Sequence, residues 1–490
     1  MKAKIFPLLA SVVFTMLSCS PKEQEATKLG KPAPIWPDMA DVTLPCNLAP
    51  LTFSVDATCD LTSLQAIYQA GDKQVIIEAD NNAFAIDPAD WNSLIEGATE
   101  VSVRIQGKKD GNWVEYDAIK LSISPDRIDP WMSYRKIEPG HEIWGKMGIY
   151  QRNLETYEER AILTNDETNG GCMNCHSYNQ RNPQQMLFHL RQELGGTYVI
   201  RNGEIEKLNT KTPQTISALV YPYWHPTGSY VAFSVNSTQQ AAHSTNPNRV
   251  EVFDNESDVV VYDVEKHEIF TCPELKSEAA YETFPTFSPD DKMLYFCSAD
   301  SVNVKKDYQS VHYSLCSIEF DAAKGGFGTK VDTLYNARTQ GGSISFPRIS
   351  PDGRWLMVTH HGYGNFSIWH KDADLWMTDL NAEERTWNKL QAVNSNDVDS
   401  YHCWASNGRW VVFSSRRDNG LYTIPYLTHV DANGNFSKPF PVPQADAYYY
   451  DRCMKSFNIP EFMLSDVEIE SSKISEKAKT DKGIDVQYRY

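Results

Sequence analysis

Between Glu100 and Ser124, Val101, Val103 and Ile105 alternate with polar residues. Lys108-Lys109-Asp110-Gly111 then supplies a turn, and Trp113, Tyr116, Ile119, Leu121 and Ile123 continue beyond it. A period of two predicts half-buried strands, and two such runs joined by a Gly-containing turn predict a hairpin. Leu51-Thr52-Phe53-Ser54-Val55 and Val75-Ile76-Ile77 add further short strands. Residues 46–124 are therefore expected to form a small immunoglobulin-like β-sandwich. Cys46 and Cys59 lie within it, with their pairing left open.

Further along, one pattern recurs four times. Pro222-Tyr223-Trp224-His225-Pro226-Thr227-Gly228 precedes the apolar run Tyr230-Val231-Ala232-Phe233. Pro285 to Asp291 precedes Met293-Leu294-Tyr295-Phe296, Pro347 to Gly353 precedes Trp355-Leu356-Met357-Val358, and His402 to Gly408 precedes Trp410-Val411-Val412-Phe413. The unit repeats roughly every 60 residues, long enough for a blade of several strands. In each copy a strand ends on an aromatic or Ile. A turn of the Ser-Pro-Asp-Gly kind follows, because Pro sets φ and Asp and Gly tolerate turn geometry. A buried strand comes next. Gln185 to Leu190 and Gly196 to Ile200, with a turn at Asn202-Gly203, predict one more blade ahead of these four. Five or six blades are expected over 170–460, with six preferred. The connector 125–169, with a helical turn or two over Arg152 to Arg160, or the tail around Phe457 to Ile469, would complete the last one, ahead of a C-terminal tail over 461–490.

On this turn motif the segment from Gly171 to Pro460 resembles the TolB-like β-propellers. The likeness implies an all-β fold and says nearly nothing about function. With Met16-Leu17-Ser18-Cys19 near its start and Cys172-Met173-Asn174-Cys175-His176 just ahead of the repeats, the whole arrangement is also similar to Bacteroidetes-type lipoproteins, cytochrome c-related, in which a single C-x-x-C-H precedes such a propeller.

The N-terminus changes the compartment. Lys2 and Lys4 precede an apolar run from Ile5 to Leu17, then Ser18-Cys19-Ser20. A basic start, a short apolar stretch and a small residue make a secretory leader, expected over 1–18. Met16-Leu17-Ser18-Cys19 resembles a lipoprotein signal, which makes Cys19 the expected lipidation site. Residues 19–45, polar and rich in Pro, Lys and Glu, are expected to be a lipid-anchored tether. The expected location is the cell envelope, at the outer membrane. A formal charge of −18 argues against a nucleic-acid partner.

Candidate chemistry concentrates in Gly171-Cys172-Met173-Asn174-Cys175-His176. C-x-x-C-H is the pattern of c-type haem attachment. Cys172 and Cys175 would form thioethers to the two vinyl edges of one covalent haem, and His176 would supply the proximal imidazole. A zinc site would need two more clustered ligands, and a thioredoxin-like pair would sit at a helix start. Among Met186, His189, His225, His243, His360, His361 and His402, the expected distal ligands are Met186, His189, His225 and His402, with no spacing rule choosing between them. An open sixth position is the other possibility.

The expected protein is an exported, lipid-anchored, mono-haem c-type cytochrome on a propeller. Its role would be electron transfer or redox-linked service in an envelope assembly, with an envelope protein or redox partner. Two alternatives stand beside it. One is a propeller scaffold that binds envelope proteins. The other is a haem enzyme with an open distal site.

Overall fold

The protein is described from a computed structural model that covers residues 21–138 and 145–490. The leader 1–18 and the lipidation site Cys19 lie outside the described residues.

Six antiparallel sheets form a ring. Their innermost strands are Met173–Asn179, Val220–Trp224, Ala280–Phe287, Ser343–Ile349, Asp399–Trp404 and Ser456–Met463. Each touches the next, and Ser456–Met463 returns to Met173–Asn179, so the ring closes. The chain is an all-β protein with a six-bladed propeller. Its sixth blade joins both flanks of the repeat region. The inner strand Ser456–Met463 comes from the C-terminal side and pairs with Trp131–Ile137, followed by Met147–Asn153 and Glu159–Thr164. Backbone pairing between the two flanks thereby ties the start of the ring to its end.

The Ser-Pro-Asp-Gly turns act as local clamps. Ser350 Oγ donates to Asp352 and accepts the Trp355 amide, while Gly353 takes φ +76°. Ser288 repeats this arrangement with Asp290 and the Met293 amide. Apolar faces of neighbouring blades then meet, as where Leu187 and Val199 of the first blade pack on Trp224, Val231 and Phe233 of the second.

The N-terminal domain is a sandwich of a seven-stranded and a three-stranded sheet around Phe53, Tyr68, Phe84, Val103 and Leu121. Its core is continuous with that of the fifth blade, where Trp410 Nε1 donates to the Asp126 carbonyl at 2.8 Å. Cys46 and Cys59 are free thiols, not a bridge.

Two expectations are corrected. The stretch 19–45 is not a free tether over its described part: Thr27–Pro32 runs parallel to Asn112–Asp117, and Thr43–Pro45 parallel to Ile119–Ser124. Its side chains are polar because Thr27–Pro32 is an edge strand, held by backbone bonds that leave no apolar period. Residues 152–160 form no helix. Asn153 ends one strand and Glu159 begins the next. The tail carries structure too, with a helix over Ser471–Thr480 and short strands that extend the first and second blades.

Candidate functional site at one mouth of the propeller channel

All six inner strands share one irregularity. Cys175, Tyr221, Phe284, Phe346, Tyr401 and Ile459 have φ between +49° and +56°, one in each blade. A non-glycine residue in this left-handed region is uncommon. Six equivalent ones mean that the ring geometry imposes the conformation. The residues that follow are His176, Pro222, Pro285, Pro347, His402 and Pro460. The Cys-His pair is therefore the first blade's version of a bulge that four other blades build with a proline and the fifth with His402.

This placement sets what the motif's side chains face. A cavity of about 740 Å³ opens beside the bulge tier, and both Cys172 and Cys175 line it. Tyr221, Phe366, Tyr401 and Ile459 supply flat or apolar wall. Arg135, Arg191 and Lys211 bring three positive charges, and among the described residues no Asp or Glu lines the space. In a chain of net charge −18, a cavity lined by cations and, among the described residues, by no carboxylate carries locally positive potential.

His176 lies just beyond. Its ring borders a narrow void of about 20 Å³ that shares Cys175, Tyr221 and Ile459 with the larger cavity. It is 2% exposed, and neither ring nitrogen has a hydrogen-bond partner of ordinary geometry. Burial, aided by Arg135, lowers its pKa to about 3, with the Ile459 backbone opposing slightly. The imidazole is neutral, the form that binds metal. Burial pushes both cysteine thiols up, and nearby Arg135 and Arg191 offset this only in part. Raised thiols on a strand are the opposite of a thioredoxin-like pair, whose thiolate is favoured at a helix start. Among the described residues no cluster of three His, Cys, Asp or Glu side chains is placed to hold a metal ion.

The four expected distal ligands are scattered, and none lines the cavity that holds the cysteines. Met186 is fully buried between the first and sixth blades, beside Ile149 and Met463. His189 turns towards Phe233 of the second blade, with Nδ1 bonded to Thr197 Oγ1 at 2.9 Å. His225 uses both nitrogens, on Thr227 Oγ1 at 2.8 Å and the Asp291 carbonyl at 3.1 Å. His402 directs Nε2 to the Met357 carbonyl at 3.1 Å. Each is held by its own blade junction, which residue type and spacing do not reveal. The cavity residues Arg135, Arg191, Tyr221 and Tyr401 were not among the expected site residues. A signal for two of them was present, since Tyr221 and Tyr401 each stand one position before the start of a repeat.

His402 yields a measurable pH effect. Burial, followed by Arg348, holds its folded pKa at about 3 against 6.5 for a free imidazole. Below pH 6.5 the unfolded chain therefore takes up a proton that the folded chain refuses, and stability falls on acidification. Urea melts of wild type and His402→Gln at pH 7 and pH 5 should show the gap between them moving about 2 kcal/mol in the variant's favour at the lower pH. An unchanged gap would mean that His402 is not held neutral.

Known proteins add little. No family model matches the chain, and no curated protein does. Solved structures with a partial likeness include a DUF4784 family protein from Bacteroides caccae, at 8% identity over 83% of this chain and 95% of that one, TM-score 0.32. Prolyl oligopeptidase B from Galerina marginata is 10% identical over 76% of this chain and 52% of its own, TM-score 0.36. The tricorn protease is 11% identical over 70% and 34%, TM-score 0.33. The chain thus spans between about a third and a half of the length of these two peptidases. No family follows from these likenesses. The fold rests on the ring of sheets, and the site on its own residues.

Proposed function

We propose that this protein is an exported, lipid-anchored c-type cytochrome whose single haem is carried at the mouth of the propeller channel. It would serve electron transfer or a redox-linked role in a cell-envelope assembly. One observation carries the reading. Both thiols of the C-x-x-C-H motif open on a single large cavity, and the next residue is a buried neutral imidazole with no partner on either nitrogen.

The residues present suit the group. Cys172 and Cys175 would hold its two vinyl edges, and His176 would offer the axial nitrogen. Arg135, Arg191 and Lys211 offset the charge of two propionates. Tyr221, Tyr401, Phe366 and Ile459 give wall for a flat apolar ring. When bound, haem supplies one-electron redox chemistry, and the chain's part is to anchor it, neutralise its carboxylates and exclude water from one side.

A second reading has its own support. Among the described residues neither His nor Met lines the cavity apart from the motif's own His176 beside it, which favours an open sixth position over a six-coordinate carrier. Tyr221 and Tyr401 are poor substitutes, because burial raises both phenols and keeps them protonated.

The test is an alkaline-pyridine haemochrome spectrum with intact mass, on full-length protein from a host that matures c-type cytochromes. One haem that survives acid-acetone extraction is expected. Apo protein from a host shown to load other cytochromes would sink the reading and leave a partner-binding propeller. The spectrum of the untreated protein separates the two haem readings: low-spin iron favours the carrier, and high-spin iron that takes up carbon monoxide when reduced favours the open site.

A further inference from the structure

Among the described residues the second blade carries the longest hairpin of the ring, Tyr230–Ala242 paired with Val250–Asp263. Asn236, Thr238, Gln240 and Val252 of this hairpin form one wall of the cysteine cavity. Asp254 stands on the same hairpin, outside the cavity lining and only 4% exposed. Its Oδ2 accepts from Asn365 Nδ2 at 2.6 Å and from Tyr313 OH at 3.3 Å. The side-chain amide of Asn236, a wall residue, is a third neutral donor. Asp254 is thereby bonded directly to the wall of the cavity that holds Cys172 and Cys175.

The groups that face this carboxyl are uncharged. They are Tyr221 on the cavity wall, Tyr281 and Tyr313 of the third blade, Asn236 of the second and Asn365 of the fourth. Burial, with the charge of Asp254 adding to it, raises all three phenols and keeps them protonated. On its own strand, Glu251 is engaged by Tyr363 OH at 2.6 Å and His370 Nε2 at 2.9 Å, and Glu256 lines a separate cavity between the second and third blades. No cation is among the causes acting on Asp254. Burial pushes it up to about 6, and the three hydrogen bonds hold back a further rise. A buried carboxyl with neutral donors and no counter-ion exchanges its proton in response to nearby charge. Tyr221 feels both Asp254 and the Cys175 thiol, so the carboxyl lies within electrostatic reach of a group anchored at that thiol.

We propose that Asp254 is the proton-exchanging residue of the redox site, coupling proton uptake to reduction of the haem. The proposal rests on the haem reading above. Asp254 takes one proton from solvent as one electron from a one-electron donor reduces iron(III) to iron(II), and releases it when a one-electron acceptor removes that electron. The physical reason is charge. Reduction adds one negative charge to the cavity, which disfavours the carboxylate and raises its proton affinity. By linkage, protonation of Asp254 favours the reduced state by the same amount, so the midpoint potential falls as pH rises through the window in which Asp254 titrates.

Spectroelectrochemical titration of the full chain with one-electron mediators, from pH 4 to pH 9, tests this after intact mass has confirmed one covalent haem. The wild-type potential should fall with pH around pH 6 and level off on either side. Asp254→Asn is near-isosteric and its amide oxygen still accepts from Asn365 and Tyr313. It should lose most of the slope, any remainder belonging to the propionates. Asn365→Ala removes one donor to the charged form, so it should keep the slope and move it to higher pH. A purely structural role for Asp254 would leave the pH profile unchanged. Equal slopes in wild type and Asp254→Asn, or a wild-type potential that does not move with pH, would overturn the proposal while leaving the haem reading intact. Absence of covalent haem overturns both. If Asp254→Asn gives no cooperative melt, the Asn365→Ala profile decides, and a slope that stays where it is in wild type overturns the proposal.

Discussion

Replacing Cys172 and Cys175 together by alanine should leave a folded chain that carries no covalent haem. Both side chains are small and buried, at 5% and 7% exposure, and neither makes a hydrogen bond that the fold depends on. Removing a thiol from such a site costs about 1 kcal/mol, well within what a large propeller tolerates. The chemical consequence is all-or-none, because without a thiol no thioether forms. Intact mass and in-gel haem staining of wild type and variant, expressed side by side, decide the matter. His176→Ala separates the roles. It should keep the covalent group, since both anchors remain, and lose the ordinary axial band pattern, since the neutral imidazole has gone. Haem retained in the double cysteine variant would disprove thioether attachment. A double variant that no longer folds would show up as a lost cooperative melt, and the His176→Ala spectrum would then carry the test.

Phe457→Ala should be among the most damaging single changes to stability. Phe457 is fully buried on the strand that closes the ring, with its ring 5.0 Å from Tyr134 in an edge-to-face contact. Its carbonyl accepts hydrogen bonds from Ser414 Oγ and Thr423 Oγ1, both at 2.9 Å, so the same residue ties the sixth blade to the fifth. Truncating a buried Phe costs about 3–5 kcal/mol through lost transfer energy and the cavity left behind. Here the loss falls on the sheet whose inner strand comes from the C-terminal side of the repeats and whose outer strands come from the N-terminal side, so loosening it also loosens the ring. The comparison is Leu464→Ala on the same segment, 49% exposed and expected to change stability by about 0.5 kcal/mol or less. Urea midpoints of the two variants read the difference directly. Equal midpoints would mean that the closing strand contributes little to ring stability.

The repeat units were legible because each carries a turn whose residue types are dictated locally. Ser-Pro-Asp-Gly announces itself through φ limits and one serine clamp, and the apolar run after it marks a strand buried on both faces. The motif Cys172 to His176 was legible for the same reason, as a short spacing tied to one chemistry. The first blade's inner strand was harder to see. In Met173–Asn179 the proline of four other blades is replaced by His176, so the repeat is present in geometry and absent in letters.

The edge strand Thr27–Pro32 was missed, and the sequence left open whether the connector or the tail completes the sixth blade, where the structure uses both. An edge strand is held by backbone hydrogen bonds, which carry no residue signature, and the outer strands of a blade have too few buried positions to show an alternation. The distal ligand could not be chosen for a related reason. Met186, His189, His225 and His402 are all good ligands by type, and what separates them is which blade junction each one fills.

The sequence by itself therefore determined the all-β character, the blade turns, an N-terminal sandwich and the place of the Cys-His motif, since these depend on interactions within a few residues. Only the tertiary structure decided that the ring closes with strands from both flanks of the repeats. It also placed Arg135, Arg191, Tyr221 and Tyr401 around the two cysteines. Those juxtapositions join residues tens to hundreds of positions apart, and their energy comes from burial and charge in a shared space, which no local pattern encodes.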